Sequence, residues 1–143
     1  MERSLAGLII AAFMLTTVAP SSARDSKYML PVAATVEAQD GKQKLDGSVN
    51  FFSAIKRPPK ILTKLATDVT NLKTNAVGKS DEKACNWVFL SAMMQLEKRA
   101  KELGANAVVN IVSYYQKNVV FECHAGAVIA GVVLKDDFVK VEE

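Results

Sequence analysis

Two cysteines and one histidine are the residues in this 143-residue chain whose types and positions are best suited to chemistry. Cys123 and His124 are adjacent in the run FECHAGAVIAG, and Cys85 lies in the run DEKACNWVFLSAMMQLEKRAKELG. Together they could form a metal site, a catalytic Cys–His pair, or a disulfide beside an uninvolved histidine. The choice depends on which elements carry the three side chains and on which faces they lie.

The first cysteine lies on the clearest predicted element, a helix over residues 80–103. Ser80 can cap this helix, and Asp81 and Glu82 stand in its first turn, where the helix dipole favours acidic groups. Gly104 follows Leu103 at the position where a glycine commonly ends a helix. The pattern therefore predicts one long helix with clear signals at both ends.

The spacing of apolar residues indicates which face of this helix packs. They recur at steps of three and four: Cys85, Phe89, Ala92, Leu96, Ala100 and Leu103. Glu97 and Lys101 are four residues apart, and we expect them to pair on the outer face of the helix. Cys85 is thus predicted to point toward the core.

The rest of the chain reads mainly as strands. We predict them at 30–38, 48–55, 64–75, 107–115, 119–125 and 127–135, after a polar leader at 24–28. Loops are predicted at 39–47 and 56–60, with a turn at 116–118. The apolar run 125–134 is too short to span a membrane and is interpreted as a strand buried on both faces. Short spacers after the helix predict an antiparallel meander, so the fold class is α+β: one long helix on a mostly antiparallel sheet, in a single small domain with one disulfide.

Alternation along VVFECHA separates the second cysteine from its neighbours. Cys123 shares a face with the apolar residues, whereas Glu122 and His124 point to the opposite face. The two thiols can therefore meet in the core, and His124 does not join them. Ligands on two opposite faces make a poor zinc site, and the C-x-x-C spacing of redox enzymes is absent.

The N-terminal segment predicts export. It contains Arg3, an apolar run over residues 5–15, Pro20 and small residues before Ala23, which is typical of a signal peptide over residues 1–23. An uncleaved anchor is the alternative, but the run is shorter than the roughly 20 residues of a spanning helix. We expect cleavage after Ala23, a single domain over residues 24–143 with no membrane span, and a periplasmic or secreted location.

Export favours a disulfide between Cys85 and Cys123, because a pair of cysteines in an oxidising compartment normally closes one. It would close a loop of about 39 residues and stabilise the fold by about 4 kcal/mol in the chain-entropy description. Free or redox-active thiols and metal ligands remain the alternatives.

Other side chains could bind ligands. His124 could bind a metal with Glu122 beside it or with Met93. Met93 and Met94 could bind copper through their thioethers, although adjacent residues on a helix point about 100° apart and do not easily chelate together. For the sulfur and aromatic residues of this part of the chain, core packing is the simpler expectation; they are Trp87, Met93, Met94, Tyr114 and Tyr115. Asn106 and Asn110 could hydrogen-bond a ligand, although asparagine at a strand entrance commonly serves turns and edges.

Several function classes are not supported by any motif. The chain has no phosphate-binding loop, no G-x-G-x-x-G run and no G-x-S-x-G context around its serines, so we predict no catalytic residues and no cofactor. The formal net charge is only +3, and the densest basic cluster, at residues 56–60, contains two prolines. That cluster is typical of a solvated loop, and we expect no nucleic-acid partner.

The runs SDEKACNWVFLSAMMQLEKRAKELGANAVVNIVSYY and FECHAGAVIAGVVLKDDF resemble small exported proteobacterial proteins of unknown function, many labelled "excinuclease ATPase subunit". That label does not fit a chain without a phosphate-binding loop. The RAKELGANAVV pattern is also similar to the YbjQ-type family, named as heavy-metal binders, and more distantly to RcsF-type lipoproteins that sense envelope stress. The latter matches cover about residues 85–134, and the lipid-attachment cysteine of the RcsF type is absent.

These resemblances imply a binding or sensing role in the envelope, with an envelope protein as the partner, and homo-oligomerisation as in YbjQ-type rings. Our first hypothesis is therefore a non-enzymatic, exported binding or envelope-sensing module. A metal-binding protein using His124 and Glu122 is the second hypothesis, and a thiol–disulfide redox protein is the third.

Overall fold

The computed structural model describes residues 26–31, 39–54, 56–114 and 120–143. The predicted signal peptide lies outside these residues, as do residues 32–38 of the first predicted strand, the predicted turn at 116–118, and Tyr115. The described residues form both helices and a sheet, which confirms the α+β class. Their elements, in chain order, are β1 (Ser26–Pro31), α1 (Gln39–Lys44), β2 (Asn50–Ser53), β3 (Ile61–Asn75), α2 (Asp81–Leu103), β4 (Ala107–Ser113), β5 (Val120–Ala125) and β6 (Ile129–Val141).

Helix α2 has the predicted signals at both ends. The Ser80 hydroxyl accepts a hydrogen bond from the Lys83 N–H at 3.1 Å, and Gly104 ends the helix with a φ of 76°. A left-handed φ of this kind suits glycine because it has no Cβ to clash. The helix has 23 residues, and no helix in the described part of the chain is long and apolar enough to cross a membrane.

One strand, β6, holds the sheet together. Strand β3 pairs antiparallel with it along its whole length, from Ile61↔Val141 to Asn75↔Ile129. The other edge of β6 is shared, since β5 pairs with its first residues and β4 with its later ones. Strand β1 adds antiparallel to β5, and β2 adds parallel to β4. The sheet is therefore mostly antiparallel, as predicted.

The predicted meander is wrong in its order. Strands β4 and β5 do not pair with each other; each pairs with β6, as Val108↔Phe138 and Cys123↔Val132 show. This is possible because β6 continues past the predicted end at Lys135 to Val141. Its buried and less buried residues also alternate, so the prediction of a strand buried on both faces is wrong.

Two other boundaries differ from the predictions. Strand β1 begins at Ser26, inside the predicted polar leader, because it pairs with β5 from Ser26↔Ala125 onward. The predicted loop at 39–47 contains the short helix α1. In both places tertiary pairing and packing outweigh the local preference of the polar residues.

The main core lies between α2 and one face of the sheet, which we call the inner face. The largest fully buried side chains there include Phe89, Met93, Leu96 and Phe138. A second, smaller cluster lies on the opposite, outer face, where Ala107, Val109, Val139 and Val141 pack with Phe52.

The predicted disulfide closes this core. Cys85 of α2 and Cys123 of β5 are bonded, with a Cα–Cα distance of 5.8 Å, and both residues are 0% exposed. The bond joins the first turns of α2 to the inner face of the sheet across a sequence separation of 38. As predicted, alternation along β5 places Cys123 inward and His124 outward.

We predict that removing the disulfide lowers the free energy of unfolding by about 4 kcal/mol, because the open chain gains loop entropy when unfolded. Urea unfolding of the Cys85→Ala/Cys123→Ala variant, compared with the oxidised protein, measures this loss. The reduced wild-type protein should show a similar loss, and reductant should leave the variant unchanged. An unchanged midpoint in both cases would contradict the prediction.

Candidate functional site

The outer face of the sheet carries an unusual distribution of charge. Among the described residues of β1, β3, β5 and β6, the exposed charged side chains on this face are all lysines: Lys27, Lys64, Lys73 and Lys135. The two carboxylates of the same face, Glu122 and Asp137, are recessed. The exposed surface is therefore positive, which attracts anionic groups.

His124 and Glu122 form the polar centre of this face. Their positions two residues apart on β5 place both side chains outward, and His124 Nε2 lies 3.0 Å from Glu122 Oε1. Glu122 is only 3% exposed, and Lys27 Nζ lies 3.7 Å from the same carboxylate oxygen. Among the described residues, Glu122 Oε2 has no hydrogen-bond partner. His124 and Glu122 are thus paired on the opposite side of the sheet from the disulfide.

These residues line a shallow depression of about 520 Å³. Four neighbouring strands contribute to it, and its polar lining is Lys27, Asn71, Lys73, Glu122 and His124. Val133 forms part of its floor, and Gly131 opposes His124 across the β5–β6 pair. The depression therefore combines cationic, hydrogen-bonding and apolar groups around one buried carboxylate, a mixture suited to binding.

Of the residues considered as metal ligands, the structure brings together His124 and Glu122. Met93 is fully buried between α2 and the inner face of the sheet, and Met94 is exposed on the same helix. In the described part of the chain, no group of three or more His, Cys, Asp or Glu side chains is arranged to hold a metal ion. Any metal bound here would need ligands besides His124 and Glu122.

A bulge in β4 positions Asn110, one of the two asparagines considered as ligand-binding residues. The β4–β6 register shifts between Val109 and Val112, and Asn110 has a φ of 56°. Asparagine tolerates this conformation better than most residues, so Asn110 suits a bulge. Its amide donates to Asp137 Oδ2 at 2.8 Å. Asn110 therefore holds the neighbouring strand β6, and it also lines a depression of about 380 Å³ together with Asp137.

Asp137 is fully engaged by its neighbours. Besides Asn110, it accepts a hydrogen bond from the Thr67 hydroxyl at 2.6 Å and lies 3.1 Å from Lys64 Nζ. Partial burial raises the pKa of Asp137, but the hydrogen bonds from Asn110, Thr67 and Lys64 outweigh it, so the net pKa is lowered. Asp137 is thus ionised, and its contacts join β6 to β3 and β4.

The preceding residue, Asp136, has the opposite environment. It points to the inner face, is 1% exposed, and accepts a 3.3 Å hydrogen bond from the Thr70 hydroxyl through Oδ2, while Oδ1 has no partner among the described residues. Burial raises the pKa of Asp136 to about 7, and the nearby charge of Asp68 adds to this. Asp68 is in turn ion-paired with Arg99 of α2, at 3.1 Å.

The segment around α1 forms another depression, of about 510 Å³, and the loop at 56–60 contributes Lys56 to it. Glu97 is buried, and it accepts hydrogen bonds from the Asp46 N–H at 3.1 Å and from Lys101 Nζ at 3.3 Å. The predicted Glu97–Lys101 pair is present, but its placement on the outer face of the helix is wrong. A hydrogen bond from Lys101 strongly lowers the pKa of Asp46. The carboxylates there are occupied in holding the segment to α2.

The remaining predicted candidates have structural or surface positions. The Asn106 side chain donates to the Val141 carbonyl at 3.0 Å and accepts from the Val141 N–H at 2.8 Å, so it fastens the end of β6. Core packing is confirmed for Met93 but is wrong for three residues that are at least 39% exposed: Trp87, Met94 and Tyr114. Trp87 instead lies beneath Lys44, whose Nζ is 5.9 Å from the ring centroid.

Comparisons with protein-family models, curated proteins and solved structures gave no match. The family resemblances and the functions that they imply therefore stay predictions. Geometry alone selects the outer face around His124 as the candidate site. It combines exposed charge, a depression and a buried carboxylate, one oxygen of which has no hydrogen-bond partner within the described part of the chain.

We predict opposite pH effects from the adjacent residues Asp136 and Asp137. Since the folded-state pKa of Asp136 is raised from 3.8 to about 7, its ionisation costs stability progressively between about pH 4 and pH 7. Asp136→Asn should therefore be more stable than the wild type at pH 8, by about 4 kcal/mol, with no difference below pH 4. Urea unfolding across this pH range measures the difference.

Asp137→Asn is the matched control. The lowered pKa of Asp137 means that its carboxylate stabilises the fold above its ordinary pKa and loses that effect as the pH falls through the folded value. This variant should be less stable than the wild type at pH 8, with the deficit shrinking in acid. The assignment fails if both variants shift stability in the same direction at pH 8.

Proposed function

We propose that this chain is an exported, non-enzymatic binding or sensing module of the cell envelope that binds its partner through the outer face of the sheet. The observation that carries the proposal is the contrast between the two faces. The inner face is closed by α2 and the Cys85–Cys123 bond, whereas the outer face leaves four lysines and the His124 depression exposed.

The apolar groups on this face support a binding role. Met29 is 44% exposed, Val69 51% and Ile129 52%, and they lie among the lysines of the same strands. Protein-binding surfaces commonly combine such apolar groups with a polar rim. The positive charge would steer an anionic partner toward the face, and the apolar groups would add contact area.

The envelope location rests on the N-terminal segment and on the disulfide. A segment with the features of a signal peptide predicts export, and a disulfide persists in an oxidising compartment such as the periplasm. The resemblance to exported proteobacterial proteins agrees with both. The redox hypothesis has less support, because thiol–disulfide exchange requires an accessible sulfur and both cysteines are 0% exposed.

We predict that reversing charge on the outer face abolishes partner capture. The mature chain would be immobilised, and envelope extract passed over it at low and high salt. Lys73→Glu/Lys135→Glu should lose the retained species, because these lysines are exposed and have no carboxylate within ion-pair distance among the described residues.

Lys83→Glu/Lys98→Glu, which reverses two exposed lysines on α2, is the matched control and should retain the partner. Circular dichroism and disulfide content should be equal for all three proteins. Equal capture by the outer-face variant, or no specific capture by the wild type, would reject the outer face as the binding site.

A metal site at His124 is the second candidate function. The specific observation is the 3.0 Å contact between His124 Nε2 and Glu122 Oε1, together with the unpartnered Oε2 of this buried carboxylate. Imidazole and carboxylate are suitable ligands for zinc and other divalent metals, with water completing the coordination.

We predict, for this candidate, stoichiometric zinc binding by the oxidised protein, measured by native mass spectrometry and calorimetry. His124→Ala and Glu122→Gln should each lose it, because each removes one of the two protein ligands. Asp46→Asn, which changes a carboxylate held by Lys101, should bind as the wild type does. Equal zinc affinity in all four proteins would exclude the site.

A further inference from the structure

Strand β3 has one edge that no described strand covers. It has 15 residues, and among the described residues it pairs only with β6. An uncovered edge presents backbone N–H and carbonyl groups that can pair with another extended chain. The question is which part of the edge is suited to pairing, and with what kind of segment.

The first part of β3 is poorly suited. Its register against β6 shifts between Ile61 and Thr63 and again between Lys64 and Ala66, and irregularities of this kind interrupt further pairing. Lys64 is also engaged with Asp137. From Thr67 to Asn75 the register runs without interruption, so this segment is the regular part of the edge.

The outward side chains of the regular segment indicate the charge of its partner. Val69, Asn71 and Lys73 point outward, and Lys135 lies directly across from Val69 on β6. Neither Lys73 nor Lys135 has a carboxylate within ion-pair distance among the described residues, and the face has no exposed acidic group to repel an anion. An added strand would therefore be favoured by acidic side chains on its outward face.

The inward side chains indicate a different chemistry. Leu72 is half-buried against the core, and Thr70 is buried and bonded to Asp136. Asp68 forms an ion pair with Arg99 of α2, so its carboxylate already has a cationic partner within the protein. An added strand would thus place apolar side chains beside Leu72 on its inward face.

We propose that the free edge at Thr67–Asn75 binds an extended segment of a partner protein as an additional strand, in which acidic and apolar residues alternate. The inference rests on the outer face being the binding face, as proposed above, and names the chemistry of its partner. An anionic membrane would be attracted by the lysines only and would not pair with the backbone of β3. The regular edge and the two different faces of β3 favour a peptide, because only a peptide also satisfies the backbone groups.

The test uses a fluorescently labelled nine-residue peptide of alternating glutamate and valine, with both ends capped, and the oxidised mature chain. Fluorescence anisotropy should show binding that weakens with salt and is absent when lysine replaces glutamate. Lys73→Glu should weaken binding about tenfold, and Lys98→Glu should leave it unchanged.

Strand pairing is tested separately by N-methylation, which removes hydrogen-bond donors. Two peptides would be made, one methylated on its glutamates alone and one methylated on every residue. Alternate N–H groups point to opposite edges of a strand, so the first peptide keeps one edge with its donors and should bind in one of the two strand directions, whereas the second should lose binding. Equal binding by both methylated peptides would overturn strand addition.

Three further results would also reject the inference. They are binding to phosphatidylglycerol vesicles but not to the peptide, dimerisation of the chain that depends on Lys73 without peptide binding, and no peptide binding at all. If envelope extract still yields a partner that requires Lys73 and Lys135, the proposed binding face stands and only strand addition is wrong.

Discussion

The alternation of side chains along β6 is the constraint on which the rest of the structure depends. This strand pairs with β3 on one edge and with β4 and β5 on the other, so its faces become the faces of the whole sheet. Residues such as Leu134 and Phe138 must then meet α2, while Val133 and Lys135 must point away from it. The disulfide follows the same rule, because Cys123 lies opposite the inward-facing Val132.

The elements with strong local signals could be predicted from the sequence. Ser80 and Gly104 mark the ends of α2, and steps of three and four along it identify the face that carries Cys85. The two-residue period of β5 separates Cys123 from His124. These predictions succeeded because capping, periodicity and alternation are properties of neighbouring residues. Two buried faces that could meet, together with the predicted export, then gave the pairing of the cysteines.

The sheet order and most of the polar network depend on distant residues and were not predicted. Nothing near Asp136 and Asp137 indicates that one meets Thr70 in the core while the other meets Thr67 and Asn110 outside. The available local signal was a pair of aspartates within an otherwise apolar strand. Because the predicted strand ended at Lys135, both aspartates were left outside it. Glu97 was misplaced for a similar reason, since its partner Asp46 is 51 residues away. Whether an edge of β3 is free depends on which strands lie beside it, and local sequence patterns do not predict that order.

The position of β1 has a consequence for how the chain folds. Its partner is β5, so the first described strand forms a ladder with one of the last, as in Ser26↔Ala125. Bringing together two strands so far apart in the sequence costs loop-closure entropy, which is offset only by contacts that need both strands. During synthesis β1 therefore precedes its partner by most of the described chain, so this ladder can form only late.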